Sequence, residues 1–100
     1  VFCGNDAMAM GAYQALVAAG KATKVKVFGF DGSDDVVRSV AEGKIAATVM
    51  QFPKTMAKTA AEYADRYFKG ERNFPQRMPV AVELVDRDTV AKFGDYGRKQ

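Results

Sequence analysis

The sequence has no histidine, no tryptophan, a single cysteine and only three prolines in 100 residues. Without histidine, and with Cys3 as its one thiol, it can assemble neither a zinc site of the usual ligands nor a Ser-His or Cys-His nucleophile system. One cysteine also excludes an internal disulfide, and Cys3 stands in an apolar, strand-like run where a buried, inert thiol is expected. No apolar run approaches the ~20 residues of a membrane span. The most apolar stretch, Ala7 to Ala19, is broken by Gly11 and Gln14. The chain opens on Val1-Phe2-Cys3 with no basic leader or cleavage site, so the leader of an exported protein is expected upstream of Val1. Neither GxGxxG nor GxxxxGK(S/T) occurs in the strand-to-helix loops, so a nucleotide would find no cradle.

A strong imbalance between acidic and basic residues is absent as well. Fifteen Lys and Arg against twelve Asp and Glu leave a net charge of +3. Lys21, Lys24 and Lys26 surround a turn, with no aromatic residues interleaved as on a base-stacking surface. They read as a solvated face, and no nucleic-acid partner and no direct membrane insertion are expected.

What is present suits one small domain: 48% apolar and 27% charged residues, the ordinary balance of a soluble globular chain. Val1 to Cys3 reads as the end of a strand. Asn5-Asp6 offers an N-cap for a helix over Ala7 to Ala19, which Gly20 stops. That helix is apolar nearly all round and is expected to be buried on more than one side. Val25 to Phe30 forms a second strand, broken by Asp31-Gly32-Ser33. A second helix follows from about Asp34 to Glu42, with Val36, Val37, Val40 and Ala41 on one face. Ile45 to Met50 is a third strand. The order βαβαβ with short connections predicts an α/β fold with a Rossmann-like parallel sheet.

Beyond Met50 the pattern changes. Pro53 suits the first turn of a helix, and Lys54 to Lys69 carries Met56, Ala57, Ala60, Ala64, Tyr67 and Phe68 as an amphipathic stripe. A charged, proline-containing loop spans Glu71 to Pro79. Val80 to Val85 alternates as a last strand, Asp88 is placed to cap a short turn through Phe93, and the tail past Gly94 is expected to fray or dock loosely. A strand that starts at the first residue, and a stripe that three strands and two helices do not cover, together suggest a piece of something larger.

In an open parallel sheet, ligands bind beyond the carboxyl ends of the strands. There this chain delivers Asn5-Asp6, then Phe30-Asp31, then Gln51-Phe52. Amide, carboxylate and amide with neighbouring aromatic rings match a polyhydroxylated ligand. Each hydroxyl both donates and accepts, a carboxylate takes two adjacent hydroxyls, and a ring covers the apolar C–H face of a sugar. Each residue also has a plainer reading: Asn5 and Asp6 as helix caps, Asp31 as turn chemistry before Gly32, Gln51 as solvated, Phe30 and Phe52 as core. A strand-end aspartate also occurs in phosphoryl-accepting enzymes. Here Asp31 leads into Gly32-Ser33-Asp34 with no separate acidic pair for Mg²⁺, so no catalytic group, metal or cofactor is expected.

At these residues the sequence resembles the ribose-type periplasmic binding proteins. The resemblance rests on Asn5-Asp6-Ala7-Met8-Ala9-Met10-Gly11-Ala12, on Val27 to Gly32, and on Gly43 to Pro53, with Gly70-Glu71-Arg72 and Met78-Pro79-Val80 flanking. It covers nearly the whole chain. It implies a partial carboxy-terminal lobe of a two-lobe sugar receptor of an ABC importer, with residues 1–51 and 82–93 in that lobe. Residues 52–81 would be the hinge crossing and a helix belonging with the amino-terminal lobe. Asn5, Phe30, Asp31 and Gln51 would contact a monosaccharide or related polyol. The implied location is the periplasm, or a lipid-anchored extracellular position in a single-membrane bacterium. The implied partners are an inner-membrane permease and, in some members, a chemoreceptor. The effector domain of a lactose-repressor-type transcription regulator shares the fold and stands as the alternative.

Overall fold

The structure, a computed structural model, describes residues 1–99. Three segments run parallel in the order expected. Phe28 N donates to Val1 O, Cys3 N donates to Phe28 O, Ala46 N to Val27 O, and Gly29 N to Ala47 O, all at 2.9–3.0 Å. Parallel bridges at Phe2–Phe28, Phe28–Ala47 and Asp31–Met50 place residues 27–31 at the centre. Of the three segments only the last forms a longer strand, β1 (Ala47–Met50). Its other edge pairs antiparallel with β2 (Glu83–Asp86), in a register that sets Met50 opposite Glu83 and Ala47 opposite Asp86. Of the alternating run 80–85, only its end joins the sheet.

Helix α1 (Asp6–Ala18) and helix α2 (Asp34–Ala41) lie within a residue or two of the expected spans. They touch through the Ser39 hydroxyl, 3.7 Å from Met10 Sδ. Helix α2 turns Val36, Val37 and Val40 into a core completed by Val27, Ile45, Met50, Val85 and Phe93. The expectation for α1 is corrected. Only Asp6 and Ala9 are buried, while Met8 and Val17 are more than half exposed, because the sheet and α2 cover one side alone.

Helix α3 (Pro53–Phe68) starts with proline after Phe52, whose backbone is left-handed at φ 60° and ψ 61°. No residue of α3 is buried, and Phe68 is 84% exposed. The returning segment folds along it: Phe74 meets the Tyr63 ring edge-on at 5.4 Å, and the Arg66 guanidinium stacks on both rings. The result is an arm leaving the α/β body, with overall extents of 59 × 26 × 15 Å. Because Met50 pairs with Glu83, the arm departs and returns at the same end of the sheet.

Two expectations for the last residues are also corrected. Asp86, not Asp88, accepts from the Asp88 and Thr89 amides, ahead of a single 3₁₀ turn, Val90–Lys92. The tail is paired, not frayed: β3 (Phe93–Gly94) and β4 (Gly97–Arg98) form a hairpin. Phe93 is buried at its base, and Arg98 clasps Glu83 with two bonds of 2.6 and 2.7 Å.

Candidate functional site

The carboxyl ends of the parallel segments converge on one rim, and an aspartate from α1 holds them there. Asp6 is 2% exposed. Its Oδ2 accepts from Gly32 N, Ser33 N and Ser33 Oγ at 2.8–3.0 Å, and its Oδ1 from Thr48 Oγ1 at 2.6 Å. Buried carboxylates need such saturation, since an unpaired one would be costly to desolvate. Asp6 thus faces inward as a structural tie between α1, the turn after the second segment, and β1. Its neighbour Asn5 caps α1, its Oδ1 accepting from Met8 N at 2.9 Å. The capping reading therefore holds for Asn5 and fails for Asp6.

The structure brings Asp31 and Gln51 into direct contact. Gln51 Nε2 donates to Asp31 Oδ1 at 2.5 Å, on backbones already joined by Asp31 N to Val49 O and Gln51 N to Asp31 O. Both side chains are half-buried. Asp31 has φ of 142°, a region that side chains other than glycine's rarely adopt; such strain costs about 1–3 kcal/mol and concentrates at functional positions. Gly32 next to it has φ of +84°, and a Cβ there would sit 2.8 Å from Met50 Cα, so the turn is closed to larger residues. Phe30 precedes the pair and is half-buried. Phe52 instead packs on the core, its ring 6.5 Å from that of Phe93.

Asp31 and Gln51 line a concavity of about 260 Å³ with Ser33, Pro53, Met56 and Tyr96. Neither Asn5 nor Phe30 is among its lining residues; Asn5 is held to the same rim through Asp6, and Phe30 adjoins Asp31 in the chain. Reading the sequence missed Ser33, Met56 and Tyr96. Ser33 had a signal, being the hydroxyl in the turn that Asp31 opens. Met56 and Tyr96 come from the arm and the hairpin, and nothing local marks them. The carboxylate and amide at this mouth retain acceptor and donor capacity beyond their mutual bond, which suits a ligand rich in hydroxyls.

Similar proteins share this fold. The chain is 46% identical over 85 residues to the ribose import binding protein of Salmonella typhimurium, covering 85% of this chain and 28% of that protein. It is 42% identical over 94 residues to the D-apiose import binding protein of Paraburkholderia graminis, covering 93% of this chain and 30% of that one. Among solved structures, a periplasmic solute binding protein of an ABC transporter from Actinobacillus succinogenes, with bound D-allose, superposes with a TM-score of 0.86 at 34% identity. That match covers 92% of this chain and 32% of the other. The chain thus spans under a third of the length of these relatives. The pattern described as "Periplasmic binding protein domain" covers residues 1–72, the stretch that carries all three parallel segments, the rim and helix α3 of the arm. On that match the chain belongs to the periplasmic binding protein domain family.

Proposed function

We propose that this chain supplies the carboxy-terminal-lobe half of a monosaccharide or polyol site in the periplasmic receptor of an ABC sugar importer. The observation that carries the reading is the Asp31–Gln51 pair at the sheet rim, beside the point where the arm leaves and returns. Residues 1–51 and 82–93 form this lobe. Residues 52–81 cross to a second lobe, whose surface would cover the bare stripe of α3. Elements preceding Val1 would cover the open face of α1. Asp31 accepts from two adjacent hydroxyls, Gln51 and the Asn5 Nδ2 donate, and Phe30 lies against the ring's C–H face.

A sugar gripped from both sides favours the closed form because only closure completes its contacts. The closed receptor would then be presented to an inner-membrane permease. The receptor binds and releases its ligand without chemistry, as an import binding protein does. No observation favours the repressor-type alternative.

The test is Asp31→Ala in the full-length protein, titrated calorimetrically with D-ribose, D-apiose and D-allose. Loss of a charged hydrogen-bonding group that the bound sugar would cover is expected to weaken binding by about 1.5–4 kcal/mol, roughly tenfold to a thousandfold. Affinity equal to wild type would remove Asp31 from the site and the reading with it.

A further inference from the structure

We infer that Tyr96 is a ligand-contacting residue that helps set sugar preference, an inference that rests on the receptor reading above. The pairs Phe93–Arg98 and Gly94–Gly97 leave Asp95 and Tyr96 as a two-residue turn. Their φ angles are 49° and 59°, the both-positive pattern of a type I′ hairpin, whose second central place strongly favours glycine. Asp-Gly would make the better turn. A tyrosine kept in that place strains the backbone, and such strain survives where the side chain has a use.

The ring is also not used for the core. Tyr96 is 43% exposed, whereas Phe93 of the same hairpin is 2% exposed. It lines the concavity that holds Asp31, Ser33 and Gln51 on one side and Pro53 and Met56 of the arm on another. Several contacts fix it there. Tyr96 N points to Asp34 Oδ1 at 3.4 Å, at the start of α2. Asp95 pairs with Lys54 at 2.5 Å, in the first turn of α3, and Arg98 clasps Glu83 beside the returning crossing. The hairpin is therefore tied to the lobe and to both crossings of the arm, and its tip reaches the mouth of the site. A phenol there offers an apolar face to the sugar's C–H groups and one hydroxyl to its polar edge.

The experiment places Tyr96→Gly, Tyr96→Phe and Asp31→Ala in the full-length protein. Each is titrated by calorimetry with D-ribose, D-apiose and D-allose and melted without sugar. Tyr96→Gly is expected to melt at or above the wild-type temperature while losing about threefold to tenfold in affinity. Tyr96→Phe, which keeps the ring, is expected to stay within about twofold for the preferred sugar. If Tyr96→Gly binds like wild type while Asp31→Ala is weakened, Tyr96 is outside the site although the receptor reading stands. A Tyr96→Gly protein melting well below wild type would make the side chain structural and overturn the inference. If the wild type binds none of the three sugars, the receptor reading fails first and the role of Tyr96 falls with it.

Discussion

Thr48 donates to the Asp6 carboxylate at 2.6 Å across 42 residues of sequence, and both side chains are almost fully buried. The bond closes a knot between the first turn of α1, the Gly32-Ser33 turn and the middle of β1. Asp6→Ala strips the partner from two backbone amides and two hydroxyls, so a loss of about 3 kcal/mol in stability is expected. Thr48→Val removes one bond, for about 1–1.5 kcal/mol. Because both act on the same carboxylate, the double variant is expected to lose less than the sum of the two. Urea unfolding of the full-length protein measures all three. Strictly additive losses would show that the two side chains do not act as one unit.

The same knot leaves no room at Gly29. A Cβ there would lie 2.3 Å from Asp6 Oδ1 and 3.2 Å from Ala9 Cβ, where α1 packs on the second parallel segment. Gly29→Ala must displace either the carboxylate from its four donors or the helix from the sheet. Overpacking of this kind costs about 1–3 kcal/mol. A melting temperature unchanged from wild type would mean that α1 shifts freely and that Asp6 does not fix it.

Much of this was legible because the signals were local. Asn5, Gly20, Ser33, Gly43, Pro53 and Gly70 punctuate the chain, and the three helices start and stop beside them. Asp31 and Gln51 were legible for a topological reason: consecutive parallel segments must present their following residues on one rim. Asp6 was not, because Asn and Asp are both good caps. Only the approach of Gly32, Ser33 and Thr48 decides which of two adjacent residues turns inward. The confusion of Asp88 with Asp86 has the same origin, since either fits a capping turn and the bond between Thr89 and Asp86 selects one. The tail was misread although Gly94-Asp95-Tyr96-Gly97 is a turn-forming sequence. Its strands are two residues each, too short for alternation to show, and Arg98 and Glu83 hold them through a long-range contact.

That contact should be visible in the acid titration of Glu83. The Arg98 guanidinium donates to both its oxygens, and this hydrogen bonding, with the attraction between the charges, holds the Glu83 carboxyl below the usual carboxylate range. A carboxyl lowered in the folded state adds stability that is fully present above its unfolded value, about 4.3, and is lost as pH falls through the lower folded value. The pair is open to solvent, so the gain is small and screened by salt. In the full-length protein, carbon-detected NMR of the Glu83 carboxyl is expected to give a midpoint below that of an unpaired glutamate. Arg98→Gln should return it to the ordinary range, and high salt should move it part of the way. Since Glu83 stands opposite Met50 at the returning crossing, protonating it weakens one of the hairpin's ties, the one to that crossing, while Lys54 and Asp34 still hold Asp95 and Tyr96. A wild-type midpoint at or above the ordinary carboxylate value would show that Arg98 does not hold Glu83 in solution, and the hairpin would then lack this anchor.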